Sequence, residues 1–204
     1  MEPGLCYHIY NHANGRENLF IEERNYNFFL KRFEALVLRI CHLYSYCLMK
    51  NHFHLFIRVR AEKKLRELWN KSQGQPQLTA QKIIQKTSKA FSNWFSSYTQ
   101  AFNTVYDRMG SLFVPSMKAE HVEGDESFKR VVRYIHANPV HHGFVPRMEM
   151  WRHSSYNIFL NGQRTYLERD YVLQKFGGLE KFVAYHSSPT DEQLWQSFEF
   201  CERS

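Results

Sequence analysis

The segment from Met49 to Arg60 constrains the fold most strongly, because apolar and polar side chains alternate along it. Alternation with a period of two is typical of a β-strand with two different faces. The two faces hold Phe53, Leu55, Ile57 and Val59 on one side, and His52, His54, Phe56 and Arg58 on the other. Two imidazoles at positions i and i+2 lie side by side and supply half of a metal site. The same spacing fits two solvent-facing histidines on a half-buried strand, and a third ligand would decide between these interpretations.

A second informative segment is the predicted helix over residues 126–140. Asp125 is placed to accept hydrogen bonds from the first backbone amides, and Pro139 predicts that the regular helix ends near Asn138. The predicted buried stripe consists of Phe128, Val131, Val132 and Ile135. Tyr134 and Asn138 lie one turn apart at the margin of that stripe, away from the basic side of the helix. Taken alone, the helix is compatible with a tyrosine that only packs against its neighbours.

Hydrophobic periodicity along the rest of the chain predicts a regular order of strands and helices. The predicted elements are a strand near 6–13, a helix near 25–38, strands near 41–48 and 52–60, a polar loop at 71–77, a long helix near 78–102 and a strand near 113–122. This βαββαβ order indicates an α+β protein of the ferredoxin-like (split βαβ) class, an antiparallel sheet with helices on one face. The additional C-terminal helix would bring Tyr134 towards the face of His52 and His54, which the other helices leave open.

Charge and aromatic content agree with a protein that binds nucleic acid. The chain has 27 Lys and Arg against 20 Asp and Glu, a net charge of +7 and a pI near 9.2, which favours association with phosphates. The basic candidates for contacts with a nucleic-acid backbone are Arg58, Arg60, Lys118, Arg130 and Arg133. Aromatic residues make up 16% of the chain, and exposed rings in the predicted strands could stack on unpaired bases. The aromatic residues of this kind include Tyr7, Tyr10, Tyr44, Tyr46 and Phe56.

Two motifs occur in a fixed order, Met-Lys-Asn-His-Phe-His-Leu at 49–55 and Tyr-Ile-His-Ala-Asn-Pro-Val at 134–140. Together they resemble the single-tyrosine HUH transposases, in particular the REP-associated tyrosine transposase branch. The resemblance also includes Arg-Met-Gly-Ser-Leu-Phe at 108–113 and Trp-Arg-His-Ser-Ser-Tyr at 151–156. It covers roughly residues 5–160. Lys50 stands where the family usually has proline, and His141-His142 replace a basic and a small residue, which bears on fine specificity.

The resemblance implies a role for each of the residues picked out above. His52 and His54 would bind a divalent metal, magnesium or manganese, with Asn138 as a polar third ligand. Tyr134 would be the nucleophile of a transposase-like nickase and strand transferase, which cleaves single-stranded or hairpin DNA through a 5′-phosphotyrosine intermediate. A phenol, with a reference pKa of about 10, is a better leaving group than an alkoxide, so the link can be reversed. Mixed nitrogen and oxygen ligation accepts magnesium or manganese.

Length and cysteine content indicate one main domain in a reducing compartment. We expect residues 1–160 to form the HUH catalytic domain and 161–204 to form a helical appendage packed on it, with helical fragments at 170–176 and 191–198. The four cysteines form no Cys-x-x-Cys pair. No stretch approaches the roughly 20 apolar residues that span a bilayer. We therefore expect a cytoplasmic protein with no membrane partner. We also expect a monomer rather than a homodimer, because the resemblance to the REP-associated type is compatible with a monomer that carries a complete site.

Three functions are open at this point. The first is an active transposase or its domesticated relative, and the second is a regulator that binds DNA without cleaving it. The third is a ferredoxin-like module whose aromatic sheet stacks on RNA bases. The intact set of His52, His54, Tyr134 and Asn138 favours the first, because every group that cleavage needs is present. Metal-dependent cleavage would separate the first function from the other two, and a preference for RNA would indicate the third.

Overall fold

The strands of the protein form one antiparallel sheet with the order β2-β3-β1-β4. A computed structural model describes residues 1–70, 78–163 and 165–188. The strands are β1 (Cys6–His12), β2 (Cys41–Leu48), β3 (His52–Val59) and β4 (Lys118–Val122). This strand order is that of the ferredoxin-like fold, so the predicted α+β class is confirmed.

The helices of the described chain complete the βαββαβ order and extend beyond it. They are α1 (Glu23–Leu36), α2 (Glu62–Trp69), α3 (Ala80–Val105), α4 (Asp125–His141), α5 (Tyr156–Asn161), α6 (Arg169–Phe176) and α7 (Leu179–Ser187), with a 3-10 turn at Met148–Met150. The short helix α2 was not predicted. The last strand is shorter than predicted, because Phe113 forms only an isolated bridge to Ala13. The predicted loop at 71–77 lies outside the described residues.

One face of the sheet builds the main core against α1 and α3. Phe53 of β3 packs against Phe29 of α1 and Trp94 of α3, with ring centroids 5.1 and 5.6 Å apart. The buried indole of Trp94 donates a hydrogen bond to the carbonyl of Phe29, at 3.1 Å. Thr79 begins α3 by accepting a hydrogen bond from the amide of Lys82. The apolar side of the alternating strand therefore lies where the sequence predicts it.

The opposite face of the sheet is covered by α4 and is not open. Phe56 packs against Phe128 of α4 at 4.9 Å and against Tyr44 of β2 at 5.4 Å between ring centroids. His54 on the same face is only 1% exposed. The helices α1 and α3 leave this face free, as predicted, and α4 covers it with Phe128 and Tyr134, because the face also carries large aromatic side chains that gain free energy by burial.

The helix α4 differs from its predicted form at both ends. Its N-cap is Gly124, whose φ of +84° favours glycine, and Asp125 is already helical and accepts a hydrogen bond from Lys175 at 2.7 Å. At the other end the helix continues through Pro139 to His141. Proline in the last turn removes one amide donor, but its fixed φ is helical, so the turn can close. The amide of Phe144 donates to the carbonyl of Pro139 at 2.9 Å and satisfies this end of the helix.

The segment after α4 packs back on the sheet and on α4. The amide of Leu48 donates to the carbonyl of His153, and the amide of Glu168 donates to that of Leu43, both at 2.9 Å. These bonds cover much of the outer edge of β2. The helices α6 and α7 pack on α4. A domain boundary near residue 160 stays a prediction, and the predicted helical fragment at 191–198 lies outside the described residues.

The remaining global features concern thiols and membranes. Cys6, Cys41 and Cys47 are free thiols, and burial raises the pKa of Cys41 and Cys47. Cys201 lies outside the described residues. Among the helices of the described ranges, none combines the length and the apolar character that crossing a membrane requires.

Candidate active site

The two histidines of β3 and the amide of Asn138 come together at one point. His52 Nε2 lies 3.0 Å from Asn138 Oδ1, and His54 Nε2 lies 3.3 Å from Asn138 Nδ2. His52 and Asn138 are 86 residues apart in sequence. The contact arises because β3 begins at His52 and the last turn of α4 crosses that end of the strand. The fold thus assembles the predicted third polar group beside the histidine pair.

Tyr134 lies in the same cluster, one helical turn before Asn138. Its ring meets the ring of His54 edge to face at a centroid distance of 5.4 Å, and the ring of His8 at 5.6 Å. The tyrosine is 1% exposed, whereas the sequence pattern placed it at the margin of the buried stripe. The difference arises because α4 is covered by the sheet on one side and by α6 and α7 on the other. Tyr134, the predicted nucleophile, therefore lies in the same cluster as the three predicted metal ligands.

Sequence reasoning missed two residues of the cluster, His8 of β1 and Glu120 of β4, and considered Tyr10 of β1 only as a stacking aromatic. His8 Nε2 lies 3.1 Å from His54 Nδ1, and both rings are buried. The hydroxyl of Tyr10 donates to Glu120 Oε1 at 2.7 Å, and Glu120 Oε2 is 4.0 Å from His8 Nδ1. The available signal was the polar alternation in β1, which places His8 and Tyr10 on one face.

A pocket of about 340 Å³ opens beside His52. Its lining combines aromatic rings with amide groups, and includes Tyr10, Asn11, His12, Asn51, His142 and Phe144. Phe144 is 42% exposed, and the ring centroid of His142 lies 5.4 Å from that of His52. The pocket is large enough for a nucleotide and provides both stacking surfaces and hydrogen-bonding groups.

The donor set of the cluster fits a small divalent cation. Imidazole nitrogen and amide oxygen are ligands that manganese and related ions accept, and magnesium accepts the oxygen. The Nε2 atoms of His52 and His54 already face the amide of Asn138. Within residues 1–70, 78–163 and 165–188, no group of three His, Cys, Asp or Glu side chains is placed to hold a metal. The amide oxygen of Asn138, 3.0 Å from His52 Nε2, would be the third protein ligand.

The five basic candidates fall into different environments. Arg58 is exposed and donates to the carbonyl of Gly4 at 2.9 Å. Arg60 contacts the carbonyl of Leu38 at 3.5 Å. Both arginines lie about 20 Å or more along β3 from His52, at 3.3 Å per residue.

Lys118 and Arg130 are both exposed. Lys118 pairs with Tyr10 across β1 and β4, and Tyr10 pairs with His54 across β1 and β3. Directly paired residues share a face of the sheet. Lys118 therefore lies on the same face as His54, and β1 separates its strand from β3. Arg133 is instead 7% exposed, donates to the carbonyl of Ser188, and lies over the ring of Tyr185. The prediction of a basic outer side at Arg133 was wrong, because α7 covers that side of α4.

The strand aromatics proposed as a stacking surface are buried. Each of them is less than a tenth exposed, and the set is Tyr7, Tyr10, Tyr44, Tyr46 and Phe56. Desolvation raises the pKa of Tyr46 to about 12. An exposed aromatic sheet surface, which an RNA-stacking module of this fold requires, is therefore absent from the four strands of the described chain. Tyr10 alone of this set lines the pocket beside His52.

A second buried cluster connects α7 to the side of α4 that faces away from the sheet. His136 Nδ1 lies 3.0 Å from His186 Nε2, and His136 Nε2 lies 2.7 Å from the hydroxyl of Ser155. His136 points away from Tyr134 and Asn138, because two residues along a helix turn the side chain by about 200°. Burial lowers the pKa of His136 well below its ordinary value and that of His186 to about 3.

Stability should therefore fall as the pH decreases from neutral. The unfolded chain takes up a proton on His186 near pH 6.5, whereas the folded chain does not until about pH 3. Between about pH 7.5 and pH 5, His186 alone should reduce the free energy of unfolding by about 2 kcal/mol, and His136 acts in the same direction. Denaturant unfolding at both pH values measures the loss, which should shrink in His186→Gln and persist in His121→Gln, an exposed control. An equal loss in both variants would contradict this assignment.

The sheet order β2-β3-β1-β4, with α1 and α3 on one face and α4 across the other, defines an α+β protein of the ferredoxin-like class. No protein-family model matches the chain, and no curated protein matches it. A solved structure of a REP-associated tyrosine transposase bound to a REP hairpin is similar, with a TM-score of 0.51 and 15% identity over 81% of this chain and 85% of that one. The chain therefore shares the fold of that transposase, and the resemblance found in the motifs is confirmed at the level of the fold.

Proposed function

We propose that this protein is a metal-dependent, transposase-like endonuclease and strand transferase that acts on single-stranded or hairpin DNA. The observation that carries the proposal is the convergence of Tyr134, His52, His54 and Asn138 from separate elements onto one cluster. A merely packed tyrosine would not need two imidazoles and an amide beside it. The similar solved structure holds a REP hairpin, which supports hairpin DNA as the substrate class.

In the proposed reaction, Tyr134 is the nucleophile. Its phenolic oxygen forms a bond to the scissile phosphorus, the bond from phosphorus to the 3′ oxygen breaks, and the leaving oxygen takes up a proton as the phenol loses one. A 5′-phosphotyrosine and a free 3′-hydroxyl result, and attack by a 3′-hydroxyl on the phosphotyrosine reverses the step. A divalent ion would polarise the phosphate, and His52, His54 and Asn138 would hold it.

The pocket beside His52 supports a path for the DNA strand. A nucleotide next to the scissile phosphate would occupy this pocket, with its base against Phe144 and the neighbouring rings. Lys118 and Arg130 are the exposed basic residues proposed to contact phosphates near the site, and Arg58 and Arg60 would contact DNA only farther along. Arg133 is not included, because its guanidinium is buried against α7.

Two observations support a site that is complete in one chain. Tyr134 lies against His54 of its own chain, so no second copy is needed to supply the nucleophile. The edge of β2 is bonded to the segments around His153 and Glu168, which hinders growth of the sheet at that edge. We therefore propose that the protein acts as a monomer. The free thiols Cys41 and Cys47 support our separate proposal that it acts in the cytoplasm, where thiols stay reduced.

The proposal is tested by incubating the protein with labelled hairpin and single-stranded DNA pools in the presence of manganese or magnesium. A protein–DNA adduct that survives denaturation and disappears when a chelator is added is the expected result. Formation of the adduct should also release the other DNA fragment, which ends in a free 3′-hydroxyl. Binding of the same DNA pools with no adduct under any metal condition would contradict the enzyme and favour a silent regulator.

The burial of Tyr134 is the observation that favours the second candidate function, a DNA-binding regulator that does not cleave. A nucleophile that is 1% exposed must become accessible before a phosphate can reach it. In a regulator the tyrosine would stay covered and serve packing only. The adduct experiment separates the two functions, because only the enzyme links itself to DNA.

Lys118 provides a separate prediction about the DNA path. Lys118→Gln should weaken DNA binding by roughly two- to fivefold at moderate salt and reduce the salt slope by about 1, because one phosphate contact is lost. Lys63→Gln is the matched control, since Lys63 is also exposed but lies on α2, beyond the far end of β3. Fluorescence anisotropy at several salt concentrations measures both quantities. Equal effects of the two substitutions would contradict a specific position for Lys118.

A further inference from the structure

We propose that His8 is a positioning residue that sets the tautomer of His54 and so presents its Nε2 lone pair to the site. The inference rests on the proposed function, because it gives His54 the role of a metal ligand. His8 Nε2 and His54 Nδ1 are 3.1 Å apart, and the ring planes are nearly parallel, at 20°, with centroids 5.2 Å apart. Both residues are 1% exposed, so water does not compete for this contact.

The direction of the hydrogen bond follows from the contacts of His54. The amide nitrogen of Asn138 lies 3.3 Å from His54 Nε2, and an amide nitrogen can only donate. His54 Nε2 is therefore the acceptor nitrogen, and the proton of the neutral ring resides on Nδ1. That proton points at His8 Nε2, which must accept it. A nitrogen that accepts from an amide donor has the same lone pair available to a cation.

The contacts of His8 on its other side favour the same arrangement. If Nε2 of His8 is an acceptor, its proton resides on Nδ1, which is 4.0 Å from Glu120 Oε2. A carboxylate at that distance favours the proton-bearing nitrogen on its side electrostatically. Tyr10 donates to the other oxygen of Glu120 at 2.7 Å and holds the carboxylate in place.

The sheet explains why these residues meet. The strand β1 lies between β3 and β4, and His8 pairs with Glu120 on one side and with Phe56 on the other. His54 is two residues from Phe56 on the same face, so it lies diagonally across from His8. The relay from Glu120 through His8 to His54 thus runs across three neighbouring strands.

Removing a partner that orients a metal-binding histidine typically lowers the metal affinity by about 10- to 100-fold. His8→Leu removes the acceptor for His54 Nδ1 while keeping an apolar volume in the buried position. His8→Gln places an amide oxygen near the former Nε2 position and can still accept that proton. We therefore expect His8→Leu to weaken manganese binding by roughly 10- to 100-fold, and His8→Gln to restore most of it.

The deciding experiment is long-range proton–nitrogen NMR of the histidine rings in the metal-free protein, followed by calorimetric titration with manganese. The expected result is a proton on Nδ1 of His54 in the parent and in His8→Gln, and a changed tautomer in His8→Leu. His121→Gln controls for loss of a histidine from the neighbouring strand, because His121 is exposed on β4.

A proton on Nε2 of His54 in the folded parent would overturn the inference without need of any variant. Unchanged manganese affinity in His8→Leu would overturn it as well. A parent with the expected tautomer that forms no DNA adduct would instead contradict the proposed enzyme and leave the relay supported. The NMR measurement thus separates failure of the relay from failure of the proposed function.

Discussion

Replacing Tyr134 by phenylalanine should abolish the covalent protein–DNA adduct and reduce strand cleavage by at least about 10³-fold. The substitution removes only the phenolic oxygen that would attack phosphorus. The ring stays, with its edge-to-face contacts to His54 and His8, so the variant should fold. A denaturing gel of labelled DNA measures the adduct, and anisotropy should show DNA binding within a few fold of the parent.

Tyr171→Phe is the matched control for this experiment. Tyr171 lies on α6 and stacks on Tyr44 at 5.3 Å between ring centroids, away from the histidine pair. Loss of its hydroxyl should leave adduct formation unchanged. An adduct that persists in Tyr134→Phe would show that another group attacks the phosphate, and would overturn the assignment of the nucleophile.

Replacing His52 by alanine should reduce metal-dependent cleavage by roughly 10² to 10³-fold, since a bound cation contributes several kcal/mol to the transition state. His52 is the better choice over His54, because it is partly exposed at the first residue of β3 whereas His54 is buried. Its loss should therefore cost little stability. Calorimetry should show weaker manganese binding, while DNA affinity without metal stays close to that of the parent.

His121→Ala is the corresponding control, because it also removes a histidine from the sheet but at an exposed position outside the cluster. It should retain both manganese binding and cleavage. Cleavage by His52→Ala at the parental rate would contradict a metal site at the histidine pair. Equal loss in His52→Ala and His121→Ala would point to a general effect on the sheet instead.

The two catalytic predictions share one structural condition, which is access to a buried cluster. The amide of Asn138 lies within hydrogen-bonding distance of both imidazoles, and a bound cation would replace these contacts with coordination. The pocket beside His52 reaches the surface next to Phe144. The lining of this pocket includes His52 and His54 but not Tyr134, so a DNA strand that entered by it, as we propose, would reach the histidine pair first.

Local patterns in the sequence determined the elements of the sheet and the pair of histidines. Alternation over residues 52–59 defines β3, and helical spacing defines the long helix around Trp94. These predictions succeed because side-chain direction depends mainly on backbone periodicity within a single element. The resemblance of the motifs around His52 and Tyr134 likewise indicated the fold class and the candidate site residues.

Only the tertiary structure decided which surfaces of α4 are covered. The pattern assigned Arg133 to an exposed basic side and Tyr134 to a margin, yet both are buried because the sheet and α7 enclose the helix. The continuation of α4 through Pro139 to His141 likewise depends on the residues that surround the last turn of the helix. Burial is a property of what packs on an element, and periodicity does not encode it.

The relay of His8, His54 and Glu120 is the clearest case of this limit. Its members come from three strands that are far apart in sequence, and the order β3-β1-β4 makes them neighbours. The sequence by itself placed His54 on one face of its strand, but it did not pick out His8 or Glu120. Strand order and register then decided which of them touch, because hydrogen bonding between strands fixes distances that no single strand contains.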